Sequence, residues 1–156
     1  MLRRVRSRST ANVLGELNGI HEDYGYRAAM MYDDEVNVSP SMIELMHGIA
    51  DLGRRLGFEW KLRGFIKSEL FTSAQADAMR KAGFRWILVG FESGSPRILK
   101  NIQKQATVED NDRCLSIARA AGLKVKALMS LGHAGETEKT VDERQAWLLR
   151  SKPDDF

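Results

Sequence analysis

One pattern constrains this chain more than any other, and it recurs four times along it: a helix-like stretch, a glycine, then a short apolar run. The junctions are Gly25-Tyr26, Gly57-Phe58, Gly83-Phe84 and Gly122-Leu123. A glycine just past a helix supplies the left-handed conformation that ends it. The run behind each glycine is short and rich in aliphatic or aromatic side chains, as a buried strand is. Strands are predicted over residues 26–32, 58–63, 84–90 and 124–131. Strand, helix and strand alternate at about 30 residues, the length of one βαβ unit. The expectation is an α/β domain of roughly four parallel strands with flanking helices.

The helices announce their own starts. Ser39-Pro40 reads as an N-cap with proline at the first helical position. Met42, Leu45, Met46, Ile49 and Leu52 then recur at helical spacing up to Gly57. Thr72 with Gln75, and Thr107 with Asp110, have capping-box spacing. Thr137 is placed to cap a last helix through Val141 and Leu148. Val13, Leu14, Leu17 and Ile20 suggest a first helix ending near Gly25.

Composition narrows the function classes. The chain has 156 residues, 43% hydrophobic and 29% charged, which suits a single folded domain. No apolar run is long enough to span a membrane. Arg3, Arg4, Arg6 and Arg8 follow Met1 without an apolar stretch, so a secretory signal is not expected and a cytoplasmic setting fits. The net charge is only +3, and this arginine cluster supplies much of it. Basic and aromatic residues are not interleaved along a face, so nucleic acid is not an expected partner. A single cysteine, Cys114, excludes an internal disulfide and any multi-cysteine metal site built by this chain alone. It falls on the apolar face of its helix and reads as core. No glycine-rich phosphate loop follows the first strand.

Ligands of parallel α/β folds sit beyond the carboxyl ends of the strands. There the sequence turns polar each time. Asp33-Asp34-Glu35 follows the first strand, and Arg63 ends the second with Lys67 and Glu69 beyond. Glu92-Ser93-Gly94-Ser95 follows the third and Gly132-His133-Ala134-Gly135-Glu136 the fourth. Each cluster has two readings. The acids are a solvated turn or a ligand site. Arg63 pairs with Asp33 or Glu92, or grips a carboxylate bidentately. Glu92 to Ser95 is a helix cap, or holds a hydroxyl or amine. Gly132 to Gly135 is a tight turn, or lets a flat ring approach the backbone. His133 alone is a weak signal.

Taken in order, Arg4-Val5-Arg6-Ser7, Tyr32-Asp33-Asp34-Glu35, Leu62-Arg63-Gly64, Gly90-Phe91-Glu92-Ser93-Gly94-Ser95 and Gly132-His133-Ala134-Gly135-Glu136-Thr137 resemble the radical S-adenosylmethionine superfamily. The branch with an upstream cobalamin-binding domain is the most similar. The resemblance implies a partial (β/α) barrel that binds S-adenosylmethionine and a [4Fe–4S] cluster, with cobalamin as a further cofactor of that branch. One-electron cleavage of the sulfonium there yields a 5′-deoxyadenosyl radical, which takes hydrogen from a small-molecule substrate. Three cysteines spaced C-x-x-x-C-x-x-C hold that cluster, and this sequence has no such set. The resemblance therefore implies that residues 1–156 are part of a core, lacking the cluster loop, any cobalamin domain and the last strand or more. Affinity for S-adenosylmethionine alone is expected to be weak or absent.

By the same resemblance Asp33, Asp34 and Glu35 approach the cofactor's ammonium, and Arg63 its carboxylate. Glu92, Ser93 and Ser95 reach the ribose or methionine moiety. Gly132 and Gly135 lie against the adenine, and Glu136 caps the next helix. Ala134 stands where proline is commoner. The rival expectation is a non-catalytic scaffold that docks on a partner supplying the missing barrel half, or on a copy of itself, through open sheet edges.

Overall fold

The computed structural model describes residues 7–33 and 35–156. In chain order the elements are α1 (Thr10–Tyr24), β1 (Ala28–Met31), a 3-10 turn (Val36–Val38), α2 (Met42–Leu56), β2 (Lys61–Ile66), α3 (Ser73–Ala82), β3 (Phe84–Glu92), α4 (Pro96–Asn101), α5 (Val108–Ala120), β4 (Lys124–Met129) and α6 (Glu138–Ser151). The four strands form one parallel sheet in the order β1-β2-β3-β4. The sheet is not closed. This is the expected α/β architecture, a partial (β/α) barrel.

Capping residues start and stop the helices as their chemistry requires. Thr72 and Gln75 exchange side-chain and backbone hydrogen bonds at the start of α3, and Thr107 and Asp110 do so at α5. Gly25, Gly57 and Gly83 end α1, α2 and α3 in the left-handed conformation. At Gly83 packing demands glycine as well. A Cβ there would stand 2.0 Å from the Trp60 carbonyl oxygen.

Strand side chains alternate between two faces. Leu62, Ile66, Ile87, Val89, Phe91, Val125 and Ala127 are buried on one of them. They meet Met46, Ile49, Leu52, Met79, Leu115 and Trp147 from the helices in one continuous core. Each such large side chain contributes about 1.5–3 kcal/mol by leaving water. Lys61, Arg63, Trp86, Lys124 and Lys126 alternate with these core residues onto the opposite face, which no helix among the described residues covers. The apolar runs predict buried strands. In fact one face is open, which is why lysine and arginine interrupt β2 and β4.

Every strand differs from the sequence reading at one end or both: β1 ends at Met31, β3 runs on to Glu92 and β4 stops at Met129. β1 starts at Ala28, and β2 runs Lys61–Ile66 instead of ending at Arg63. The apolar residues after Gly57 close the base of the layer and do not join the ladder. Phe58 packs between His21 and Trp60, with ring centroids 4.6 and 4.8 Å away. Gly64 had marked a strand end, yet it lies inside β2. A Cβ there would come within 3.3 Å of Met31 Cβ and Val36 Cγ2, so glycine allows close approach of β1 and the 3-10 turn.

Past α6 the chain returns to the sheet. Asp155 forms a parallel bridge with Lys126 on the outer edge of β4. The Ala127 N–H donates to the Asp155 carbonyl at 2.8 Å. No helix among the described residues is long and apolar enough to cross a membrane. The arginine cluster lies outside the described residues except for Arg8, which braces α1 by an ion pair with Glu16 and a hydrogen bond to Asn12.

Candidate functional site

The polar groups at the carboxyl ends of the strands form a row, and β3 supplies its centre. Glu92 ends β3 with φ at +62°. A non-glycine residue in that conformation carries strain of about 1–2 kcal/mol. The Ser93 N–H donates back to the Phe91 carbonyl at 2.7 Å, so Glu92 is the middle residue of a three-residue turn. This turn folds the Glu92 side chain back over β3. A Cβ on Gly90 would stand 2.7 Å from Glu92 Oε1. Gly90 is thus the floor on which the carboxylate lies.

Two groups hold that carboxylate, Ser130 and Lys104, and His133 holds Ser130. The Ser130 hydroxyl donates to Glu92 Oε2 at 2.8 Å. Ser130 Oγ also lies 2.6 Å from His133 Nε2. With the hydroxyl proton given to Glu92, His133 Nε2 carries the proton and donates. Lys104, in the loop between α4 and α5, places its ammonium 3.7 Å from Glu92 Oε1.

Beside Glu92 stands a second charged group. Lys67, just past β2, lies 3.5 Å from Glu35 and 3.6 Å from Glu69. Its backbone is clamped by buried Asn37, whose amide donates to the Lys67 carbonyl at 2.9 Å and accepts from its N–H at 2.8 Å. Burial pushes the Glu35 carboxyl above its ordinary value, against the opposing pull of Lys67 and Lys104. Asp33 is exposed, and Asp34 lies outside the described residues. A hollow of about 430 Å³ between α1, β1 and α2 takes in Asp33 and Glu35 but not Glu92.

The other predicted site residues fall in three places. Ser93 and Ser95 are fully buried and bonded inside the fold. Ser93 Oγ accepts from the Ser95 N–H at 3.1 Å, and the Ser95 hydroxyl donates to Glu143 of α6. These serines shape the turn, and Gly94 lets α6 pack on it, since a Cβ there would stand 2.5 Å from Trp147 Cβ. Gly132 and Gly135, with φ of +88° and +85°, form the turn after β4. Glu136 was expected to cap α6. Instead it accepts the Gly132 N–H at 2.6 Å and pairs with buried Arg144, because the tight turn brings its side chain back onto its own backbone. The Gly132 hydrogen bond is the main cause of its lowered pKa. Arg63 lies in mid-strand, three positions before the end of β2, and makes no ion pair with Asp33 or Glu92.

Sequence reasoning missed Lys104, Ser130 and Asn37. Ser130 had a usable signal, as the one hydroxyl in the apolar run from Ala127 to Leu131. Lys104 had none, because its place depends on the α4–α5 loop folding back over β3.

The profile of the Radical SAM superfamily matches residues 1–148. This chain belongs to that superfamily. An uncharacterized methyltransferase of Pyrococcus horikoshii is 28% identical over 141 residues, covering 90% of this chain and 30% of the relative. The radical S-adenosylmethionine methyltransferase TsrM of Kitasatospora setae, solved with cobalamin and a [4Fe–4S] cluster bound, superposes with a TM-score of 0.83 at 22% identity. That match covers 94% of this chain and 30% of TsrM. The cobalamin-dependent radical enzyme OxsB, solved with aqua-cobalamin and S-adenosylmethionine, gives 0.78 at 19% identity, over 92% of this chain and 22% of OxsB. The fold is therefore shared with the cobalamin-associated branch, and the chain spans about 30% of the length of the first of these relatives.

The residues present do not fit an iron–sulfur cluster. Cys114, the one thiol of the sequence, is fully buried in α5. Burial pushes its pKa up to about 12, so it is a thiol and not a thiolate ligand. No group of three His, Cys, Asp or Glu able to hold a metal occurs among the described residues.

Proposed function

We propose that this chain forms the cofactor-contacting rim of a radical S-adenosylmethionine core, in a protein whose chemistry is of the cobalamin-associated kind. The observation that carries the reading is Glu92, held on strained backbone over Gly90 by Ser130 and Lys104. Strain of this kind persists only where surrounding structure enforces it, and it concentrates at working sites. The Glu92 carboxylate accepts from a hydroxyl of the cofactor's ribose or from its methionine moiety. Asp33 and Glu35 face the ammonium, whose positive charge suits them. Gly132 and Gly135 let the adenine lie against backbone. Ser93 and Ser95 act by shaping the turn that presents Glu92.

These residues bind and orient. Cleavage of the sulfonium needs an electron from a cluster that no residue of this chain ligates, so the isolated chain binds weakly and does not turn over. Ligand-observed NMR with millimolar S-adenosylmethionine tests the reading. Saturation transfer to the adenine protons is expected for the natural chain and is lost in Glu92→Gln. Equal transfer in both, or none in the natural chain, overturns it.

A further inference from the structure

The helix-free face of the sheet carries a second site, away from the rim. Strand register sets Met30, Arg63, Trp86 and Lys124 side by side across the four strands. A hollow of about 470 Å³ opens there, lined by Ala28, Met30, Lys61, Arg63 and Trp86 among others. That volume lies within the range of small-molecule sites. Trp60 and Trp147 are buried in the core, whereas Trp86 is only half-buried. The Lys124 ammonium lies 5.4 Å from the centre of its ring. The cation one step further along β4, Lys126, already has a carboxylate, Asp155, at 2.7 Å. Lys61 and Arg63 form no ion pair among the described residues, and both are exposed. Two cations without an ion pair among the described residues therefore border a half-open indole and a thioether, with the Lys124 ammonium at the far end of the row.

We propose that this row binds an aromatic ring bearing an anionic group. The ring lies against Trp86 and Met30, and the acid sits between the Arg63 guanidinium and the Lys61 ammonium. A guanidinium engages a carboxylate or phosphate bidentately, and its partner ammonium adds charge without fixing geometry. Trp86 and Glu92 are six positions apart on β3, about 20 Å along the strand. The row is thus separate from the rim, and a long substrate anchored here by its acid extends toward it. Its identity as a substrate anchor rests on the function proposed above, but the binding itself does not.

Isothermal titration of the full chain with phenyl phosphate, benzyl alcohol and inorganic phosphate tests this. Phenyl phosphate is expected to bind at least tenfold more tightly than either control. Arg63→Met and Trp86→Ala should each weaken it at least fivefold. Lys139→Met, at an exposed site on α6, should leave it unchanged, and so should Glu92→Gln. Arg63 is exposed and forms no ion pair among the described residues, so Arg63→Met should keep the melting temperature and separate binding from folding. Equal affinity for benzyl alcohol, or full affinity in Arg63→Met, overturns the proposal. Tighter binding of a hexaglutamate peptide through the same residues also overturns it, in favour of an acidic protein segment. Because Glu92→Gln is read with a different ligand, failure here is distinguishable from failure at the rim.

Discussion

Glu92 and Gly90 act as a pair, and their substitutions separate strain from function. Replacing Glu92 by alanine removes the carboxylate but keeps a Cβ in left-handed backbone, whereas glycine removes both. Glu92→Gly should therefore be more stable than Glu92→Ala by about 1 kcal/mol, the reverse of the usual order. Denaturant titration of the two variants checks this, and equal midpoints would show that the turn carries no strain. Glu35 makes a pH prediction. Its pKa is raised above the ordinary 4.5, chiefly by burial, so the folded state binds its proton more tightly than the unfolded state does. Its contribution then favours folding when protonated and declines as pH rises through the raised value. Glu35→Gln should gain stability relative to the natural chain at pH 7, with the gain shrinking as pH falls into the carboxylate range. Thermal melts at several pH values read this directly.

Among the elements, α6 links the core to the rim. Its Trp147 packs edge-on against Phe91, with centroids 5.2 Å apart, and covers Gly94. The indole N–H donates to Asp112 of α5 at 2.8 Å. Asp112→Ala leaves that buried donor unpaired, at a cost of about 1–3 kcal/mol. It should also loosen the turn carrying Glu92, so broadened Ser93 and Gly94 amide resonances are expected; sharp, unshifted ones would show that α6 does not brace the turn. The elements were the most legible level of the sequence. Glycine and cap residues located the ends of α1, α2 and α3 and the starts of α3 and α5, because those rules act within a few residues, whereas α2 begins at Met42 behind Ser41 and not at Ser39-Pro40. β2 escaped them because Phe58 and Trp60 have strand-like chemistry yet pack on His21 at the base, a contact local patterning does not encode. The rim was half legible. Glu92 and the glycine turn stood out as motifs, but the commitment of Ser95 to Glu143 depends on α6, nearly fifty residues away in sequence.

At the scale of the whole molecule, the sequence has one thiol, and no group of three His, Cys, Asp or Glu able to hold a metal occurs among the described residues. Anaerobic reconstitution with iron and sulfide should give no stoichiometric four-iron absorption, since the one thiol is fully buried in α5. The same burial predicts that Cys114, with its pKa near 12, resists a disulfide reagent at pH 8 in the folded chain and reacts fully once unfolded. Rapid reaction in the native state would contradict the packing of α5.

Strand order in the sheet equals strand order in the chain. Each strand therefore pairs with the strand made just before it, and only side-chain packing such as that of α6 on the β3 turn waits for later residues. A ribosome releasing such a polypeptide can lay the sheet down one strand at a time, in the direction of translation. Only the most recently added edge is then ever without a neighbour on its growing side.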